Sequence, residues 1–171
     1  REVTNVLFDL SGPERELYDN VTRLVRRLVQ GHRETRRGAI KLTLLTLQKE
    51  IGSSTFAAVP TLAKLLARES PGQARSELAA LVHAARAVEA NAKFEGIRKV
   101  LDSSRDKFVV FTQFRATLEF LARSLRTLGV KAAVFHGALS LREKEAAVAQ
   151  FRDRARVLVS TEAGGEGRNL Q

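Results

Sequence analysis

The chain has 171 residues, 44% of them hydrophobic, which is enough for one ordinary core with a small helical appendage. It contains no cysteine, methionine or tryptophan, which excludes disulfide frameworks and thiolate metal sites and fits a cytoplasmic location. Lysine and arginine outnumber aspartate and glutamate by 29 to 19, and such an excess favours polyanionic partners, nucleic acid first. An arginine-rich proteome would explain the same charge without any nucleic-acid function.

The two ends of the sequence predict a fragment of a longer protein. The chain starts at Arg1 rather than at a methionine, and it stops at Gln171 directly after a glycine-rich run. No apolar run approaches the roughly 18 residues that a membrane span needs, and no charged-then-apolar leader opens the chain. We therefore expect no membrane partner.

Residues 1–90 are predicted to be mainly helical. A loose apolar alternation at residues 3–8 predicts a strand, and Ser11 and Glu14 form the capping box of a first helix. Glycines bound a predicted loop at residues 31–38. Three further helices are predicted by apolar residues at helical spacing, namely Leu44, Leu47 and Ile51; then Leu62, Leu65 and Leu66; then Leu81, Ala84, Ala85 and Val88.

From about residue 91 the pattern changes to alternating helices and strands. The predicted strands are Phe108–Phe111, Val130–Phe135 and Val157–Val159. The helices between them carry a leucine repeat that ends at Gly129, and a second capping box formed by Ser140 and Glu143. Strands that are apolar on both faces and joined by helices of about a dozen residues predict a parallel sheet covered by helices on both sides. The predicted fold class is therefore α/β, preceded by a mainly α-helical segment.

Ligands of such sheets gather at the carboxyl ends of the strands. Those ends are Thr112-Gln113, His136-Gly137 and Ser160-Thr161, which offer hydroxyl, amide and glycine groups instead of carboxylates. Neutral donors of this kind suit phosphate, and phosphate contacts fix the register of a protein on nucleic acid without reading its bases. The alternative is that serine, threonine and glycine are simply common where strands turn into loops.

The run Gly164–Gly167 follows the last predicted strand and allows tight backbone geometry in which amides point at an anion. The chain contains no lysine-bearing phosphate loop and no strand that ends in an acidic pair for magnesium. We therefore expect that this chain alone cannot cleave ATP. A metal site is also not expected, because no His-x-His or His-Glu-x-x-His spacing occurs, and His136 is predicted to form hydrogen bonds at its loop.

In order and spacing, these segments resemble motifs IV and V of SWI/SNF-type, superfamily-two helicase-like ATPases. The matching segments are Phe111–Phe114, His136-Gly137, Ser140 before its amphipathic helix, and the highly specific string Thr161–Gln171. The run Glu166–Asn169 resembles the bacterial branch that includes RNA-polymerase-associated ATPases. The resemblance implies a RecA-like second lobe, truncated at its carboxyl end, over residues 91–171, and a segment linking the two lobes over residues 1–90.

The resemblance also implies the ligands and the residues that contact them. The residues expected to contact the phosphates of duplex DNA are Thr112, Gln113, Gly137 and Thr161. The residues expected to approach or shape the site of ATP are Gly165, Glu166, Gly167 and Asn169. ATP and Mg²⁺ would be bound mainly by a first RecA-like lobe, which would also be a partner of this one. RNA polymerase or another DNA-bound protein is a further implied partner, and Lys144 stands where the family often has arginine.

The predicted function is therefore part of an ATP-dependent translocase or remodeller of double-stranded DNA, with catalysis belonging to the whole protein. Two alternatives remain open at this stage. One is a non-enzymatic phosphate- or nucleotide-binding α/β module. The other is the second lobe of an RNA helicase, which the string Thr161–Gly165 disfavours because that family usually arranges its glycines and arginines differently there.

Overall fold

The computed structural model describes residues 9–31, 34–88 and 91–161. The strand predicted at residues 3–8 and the glycine-rich run after Thr161 lie outside the described residues. The chain divides into two compact units, Arg1–Gly96 and Ile97–Gln171, called unit 1 and unit 2 below. Among the described residues no helix has the length and apolar character needed to span a bilayer.

Unit 1 is built from helices α1 (Gly12–Gly31), α2 (Glu34–Ser53), α3 (Thr55–Arg68) and α4 (Gln73–Ala87), followed by the start of α5 (Ala92–Ser103). Helix α1 packs on α2, α2 on α3 and α3 on α4, and α4 returns to α1. Their apolar faces meet in one core, whose largest fully buried side chains are Leu17, Val21, Leu44, Leu47, Leu62 and Leu78. The predicted helices are therefore present.

The predicted capping box opens α1. The Ser11 hydroxyl accepts from the Glu14 backbone N–H at 3.4 Å, and the Glu14 carboxylate accepts from the Ser11 N–H at 3.0 Å. The same carboxylate is buried and also accepts from the Ala92 N–H at 3.2 Å. One acidic side chain thus satisfies orphan donors at the start of α1 and beside the start of α5.

Two details of the predicted helices are wrong. The loop predicted at residues 31–38 is helical from Glu34 onward, since a single glycine inside a helix costs only about 1 kcal/mol. On α4 the predicted face includes Ala84, but that residue is exposed. Leu78 takes its place in the buried face, beside Leu81 and Ala85.

Unit 2 holds a three-stranded parallel sheet. Its elements after α5 are β1 (Phe108–Thr112), α6 (Arg115–Thr127), β2 (Ala132–Phe135), α7 (Leu141–Asp153) and β3 (Val157–Thr161). The strand order is β1-β3-β2, so the chain crosses from one edge of the sheet to the other and then returns to the centre. The α/β class with a parallel sheet and flanking helices is confirmed.

The prediction that every strand is covered on both faces is wrong for β1. All residues of β3 are buried, whereas on β1 Val109 and Phe111 are 37% and 54% exposed. The reason lies in the strand order, because β1 is at the edge while α7 packs its Ala147, Val148 and Phe151 on β2 and β3.

Two cations hold the end of the sheet where strands begin, called the amino edge below. Arg156 donates to the carbonyl oxygens of Leu101 and Ser104 at the end of α5, and its guanidinium lies 5.7 Å from the ring centroid of Phe108. Lys107 Nζ donates to the Phe151 carbonyl of α7 at 2.8 Å. Because the last carbonyls of a helix lack partners within the helix, these cations stabilise both helix ends.

Gly129 ends α6 as its position predicts. Its φ is +71°, in the left-handed region that favours glycine. The Gly129 N–H donates to the Arg126 carbonyl and the Val130 N–H to the Leu125 carbonyl, both at 2.9 Å. This turn directs the chain from α6 into β2.

Candidate functional site

The register of the sheet brings the predicted DNA-contacting segments to one side. Thr112 at the end of β1 is the direct partner of Thr161 at the end of β3, and Phe135 of β2 is the partner of Ser160. The segments 112–113, 136–137 and 160–161 therefore lie side by side, and we call them the carboxyl edge. Paired residues of parallel strands point to the same face, so the two threonines share a face.

The predicted contact residues differ in how much surface they expose. Thr112 and Thr161 are each only 8% exposed, whereas Gln113 and Gly137 are exposed. Ser160 is fully buried and its hydroxyl donates to the Thr161 carbonyl at 3.1 Å, so it is not available to a ligand. The predicted nucleotide-binding residues Gly165, Glu166, Gly167 and Asn169 lie outside the described residues.

His136 carries an unused ring nitrogen at the carboxyl edge. Its Nδ1 is buried and has no hydrogen-bond partner in the described part of the chain, so the hydrogen bonding predicted for this residue is not found at that atom. Burial lowers the pKa of His136 below its usual value, and the positive charges of Arg115 and Lys144 lower it further. The carboxylates of Glu119 and Glu143 oppose that shift of the pKa.

Arg115 is a residue that the sequence reasoning missed. It is the first residue of α6, follows the carboxyl edge by two positions, and pairs with Glu119 at 2.9 Å. A cation in the first turn opposes the helix macrodipole at a cost of about 0.3–1 kcal/mol. That unfavourable placement, directly after a predicted strand end, is the signal that could have marked it.

Glu143 belongs to the cap of α7. Its backbone N–H donates to the Ser140 hydroxyl at 3.4 Å, and its carboxylate accepts from the Ser140 N–H at 2.7 Å. The hydrogen bonds from the Ser140 side chain and backbone lower the pKa of Glu143. The predicted second capping box is confirmed, and this carboxylate is occupied by it.

The donor set of the carboxyl edge suits an anion better than a metal. It combines an exposed amide side chain, an exposed glycine and two nearby cations. Among the described residues no three His, Cys, Asp or Glu side chains come together in a group able to hold a metal ion.

Comparison with known proteins identifies a domain similar to unit 2. Residues 92–171 match the model of the helicase conserved C-terminal domain. This region, a little under half of the chain, is therefore similar to that domain. The resemblance to the second RecA-like lobe of SWI/SNF-type ATPases is also confirmed, since the domain match agrees with solved SWI2/SNF2 ATPase structures that superpose on the chain.

Two relatives show how far the likeness extends. The chain is 31% identical over 174 residues to the "uncharacterized ATP-dependent helicase YqhH" of Bacillus subtilis (strain 168), an alignment that covers 100% of the chain and 30% of that protein. The chain is also 43% identical over 84 residues to the "RNA polymerase-associated protein RapA" of Erwinia tasmaniensis, an alignment that covers 46% of the chain and 9% of RapA. The chain thus spans under a third of these relatives.

Solved structures agree on the fold. The Sulfolobus solfataricus SWI2/SNF2 ATPase C-terminal domain superposes with a TM-score of 0.63 at 22% identity, over 98% of this chain and 66% of the other. The S. solfataricus SWI2/SNF2 ATPase core in complex with dsDNA gives a TM-score of 0.57 at 20% identity, over 94% and 31%. At such identities the likeness shows the fold of the helicase C-terminal domain and its preceding helices.

Proposed function

We propose that the chain is part of an ATP-dependent translocase or remodeller of double-stranded DNA. In this proposal the carboxyl edge of unit 2 holds the phosphate backbone of the duplex through Thr112, Gln113, Gly137 and Thr161. The observation that carries the proposal is the meeting of these segments at one edge of a helicase C-terminal domain. Residues 1–90 then form the segment between two RecA-like lobes.

The electrostatics of the carboxyl edge support a phosphate ligand. The positive charges of Arg115 and Lys144 both act on the imidazole of His136 at this edge. The exposed groups beside them, Gln113 and Gly137, are neutral donors. Cations that neutralise phosphates, together with donors that do not read bases, favour sequence-independent binding.

The names of similar proteins point to partners. One similar structure is a SWI2/SNF2 ATPase core bound to dsDNA, and one relative is an RNA-polymerase-associated protein. We propose duplex DNA as the ligand of the carboxyl edge, and RNA polymerase or another DNA-bound protein as a partner of the whole protein. These partners distinguish the proposal from an RNA helicase or a non-enzymatic phosphate-binding module.

In this proposal, ATP is bound jointly by this chain and by a first lobe. Gly165, Glu166, Gly167 and Asn169 would approach the nucleotide, while its magnesium and the catalytic groups would come from a first lobe. The chain contains no lysine-bearing phosphate loop. We therefore expect no ATP turnover by the 171-residue chain, with or without DNA, and turnover lost through a point change in this chain would contradict that.

The test is a titration of labelled duplex DNA with the chain. Binding should be independent of sequence and should fall steeply between low and physiological salt, because neutralised phosphates release counterions. The double variant Arg115→Gln, Lys144→Gln should weaken binding and lower the salt slope by up to about 2, near one for each lost phosphate contact. Both changes affect exposed or half-exposed side chains.

The matched control removes two charges elsewhere in unit 2. Arg105 and Arg154 are exposed and precede β1 and β3, at the amino edge. The variant Arg105→Gln, Arg154→Gln has the same net charge as the test variant. If both double variants lowered affinity equally, binding would reflect overall charge, and the assignment of the carboxyl edge would be wrong.

A further inference from the structure

A groove between α1 and α4 has no role in the proposed function. It lies within unit 1 and encloses about 510 Å³. One wall consists of Asn20, Arg23, Leu24 and Arg27, at positions i, i+3, i+4 and i+7 of α1. This spacing is the face of two helical turns, a length of about 10 Å.

The opposite wall repeats the same spacing on α4. Its residues are Glu77, Ala80, Leu81 and Ala84, again at i, i+3, i+4 and i+7. Two helix faces of equal length thus border one groove. That is the shape into which the apolar side of a third helix packs, with its ridge between the two walls.

The floor of the groove is apolar and shallow. Leu24 and Leu81 are buried beneath it, and Ala80 and Ala84 are exposed on the α4 side. Alanine loses no side-chain entropy when it is covered, and its small side chain lets another helix approach closely. A phosphate backbone would leave this apolar surface unused, so the floor favours a protein segment over nucleic acid.

The rim of the groove leaves one positive charge uncompensated. Arg27 bonds both carboxylate oxygens of Glu77, at 3.2 Å for the Nη1–Oε1 pair, and this hydrogen bonding lowers the pKa of Glu77. Arg23 instead donates to the neutral amide oxygen of Asn20. Among the residues that the structure describes, Arg23 has no acidic partner. The groove therefore complements a carboxylate placed beside Arg23.

We propose that the α1–α4 groove binds an amphipathic helix of a partner protein. The helix sets small apolar side chains against Ala80 and Ala84 and an aspartate or glutamate beside Arg23. The Arg27–Glu77 pair closes one end of the contact and limits its register. The interaction needs neither the carboxyl edge nor DNA, so it serves to attach a protein to the linking segment of the proposed translocase.

The probes are three synthetic peptides of about 14 residues, four helical turns. They share one alanine- and leucine-rich face and carry two flanking glutamates, glutamines or lysines. Fluorescence anisotropy with the 171-residue chain should show the glutamate peptide binding about tenfold more tightly than the lysine peptide, as expected for one gained charge pair. Arg23→Glu should reverse that order of preference.

Matched variants separate the groove from the general charge of the chain. Arg26→Glu makes the same charge change on an exposed residue of α1 that does not line the groove, and it should preserve the preference. Ala84→Gln should reduce binding of the glutamate peptide about tenfold by filling the groove, whereas Ala79→Gln, exposed on α4 outside the groove, should not. Far-UV circular dichroism verifies that each variant is folded.

Three results would overturn the proposal. One is failure of all three peptides to bind, or equal binding of all three. Another is the same loss of preference with Arg26→Glu as with Arg23→Glu. The third is a shift of the Ala80 and Ala84 amide signals on addition of duplex DNA but not of the glutamate peptide, which would make the groove a nucleic-acid surface. DNA affinity is also measured on the Arg23→Glu variant. If its peptide preference changes while its DNA affinity does not, the result concerns the groove and not the proposed function.

Discussion

The two edges of the sheet in unit 2 carry similar side chains for different purposes. At the amino edge, Arg156 and Lys107 donate to carbonyl oxygens at helix ends and lie over aromatic rings. At the carboxyl edge, the described residues give Arg115 one ion pair, with an exposed neighbour on its own helix, and give Lys144 none. The comparison shows that some of the basic residues stabilise the fold, whereas others remain available for a ligand.

The largest effect should follow from removing Arg156. Arg156→Met keeps the aliphatic stem but deletes the donors to Leu101, Ser104 and Asp106, leaving carbonyls at the end of α5 without partners. We expect a loss of about 2–4 kcal/mol in the free energy of unfolding, measured by urea denaturation. Arg154→Met, at an exposed neighbour, should change it by less than about 0.5 kcal/mol. Equal losses would erase the distinction between structural and available cations.

The next effect concerns ligand binding at the carboxyl edge. Thr161→Val keeps the β-branched shape and strand propensity but deletes the hydroxyl, so the fold should survive while DNA affinity falls by about 1.5–3 kcal/mol. Thr127→Val is the control, because the Thr127 hydroxyl donates to the Arg123 carbonyl within α6. Unchanged DNA affinity in Thr161→Val would show that its 8% exposed side chain is structural.

In the longer protein, Thr161→Val also distinguishes the role of this segment in DNA binding from its role in ATP use. Thr161→Val should lower DNA-stimulated ATPase activity and translocation with little change in ATP affinity. Gly167→Val should instead impair use of ATP, since a side chain would stand where the proposal needs close approach of the backbone. An identical defect in both would contradict the division of this segment between DNA and nucleotide.

A smaller effect is expected for the second cation of the amino edge. Lys107→Gln retains a donor but removes the charge that faces the Phe151 and Arg152 carbonyls and the Phe151 ring. Because this side chain is exposed, we expect a loss of only about 0.5–1.5 kcal/mol in unfolding free energy. A loss as large as that of Arg156→Met would mean that exposure does not weaken these contacts.

The sequence predicted the helices and strands more reliably than the burial of their side chains. Helical spacing and two capping boxes located α1 and α7, because such signals are local and involve residues three or four apart. The exposure of Val109 and Phe111 could not be predicted, since it depends on strand order. At the site, the strand ends were predictable, but the burial of Thr112 and Thr161 and the loss of Ser160 to an internal hydrogen bond depend on packing across the sheet.

The groove of unit 1 also could not be predicted from the sequence. Corresponding positions on its two walls are 57 residues apart along the chain, and no local pattern marks either wall as half of a groove. Only the return of α4 onto α1 brings them together. The linking role of residues 1–90 stays a prediction.

The smallest expected effect is the part of the pH dependence of unfolding that His136 contributes. Its lowered pKa means that the unfolded chain takes up a proton more readily than the folded chain. The contribution to stability is therefore complete above the usual histidine value of 6.5 and is lost as pH falls from there toward the folded pKa. His136→Gln should flatten the pH dependence of unfolding in that window, measured by denaturant titrations at several pH values.

DNA should change that titration if the carboxyl edge binds phosphate. A phosphate near the imidazole favours the charged form, so it should raise the pKa of His136 against the burial and the cations that lower it. An NMR titration of the ring with and without duplex DNA measures the change, with His83, exposed on α4, as an internal reference whose signals DNA leaves in place. Because Glu119 and Glu143 already raise the pKa of His136, the Glu119→Gln variant should lower its starting value and leave the upward shift intact. An unmoved His136 pKa, in a chain that still binds DNA, would place the duplex elsewhere than the carboxyl edge.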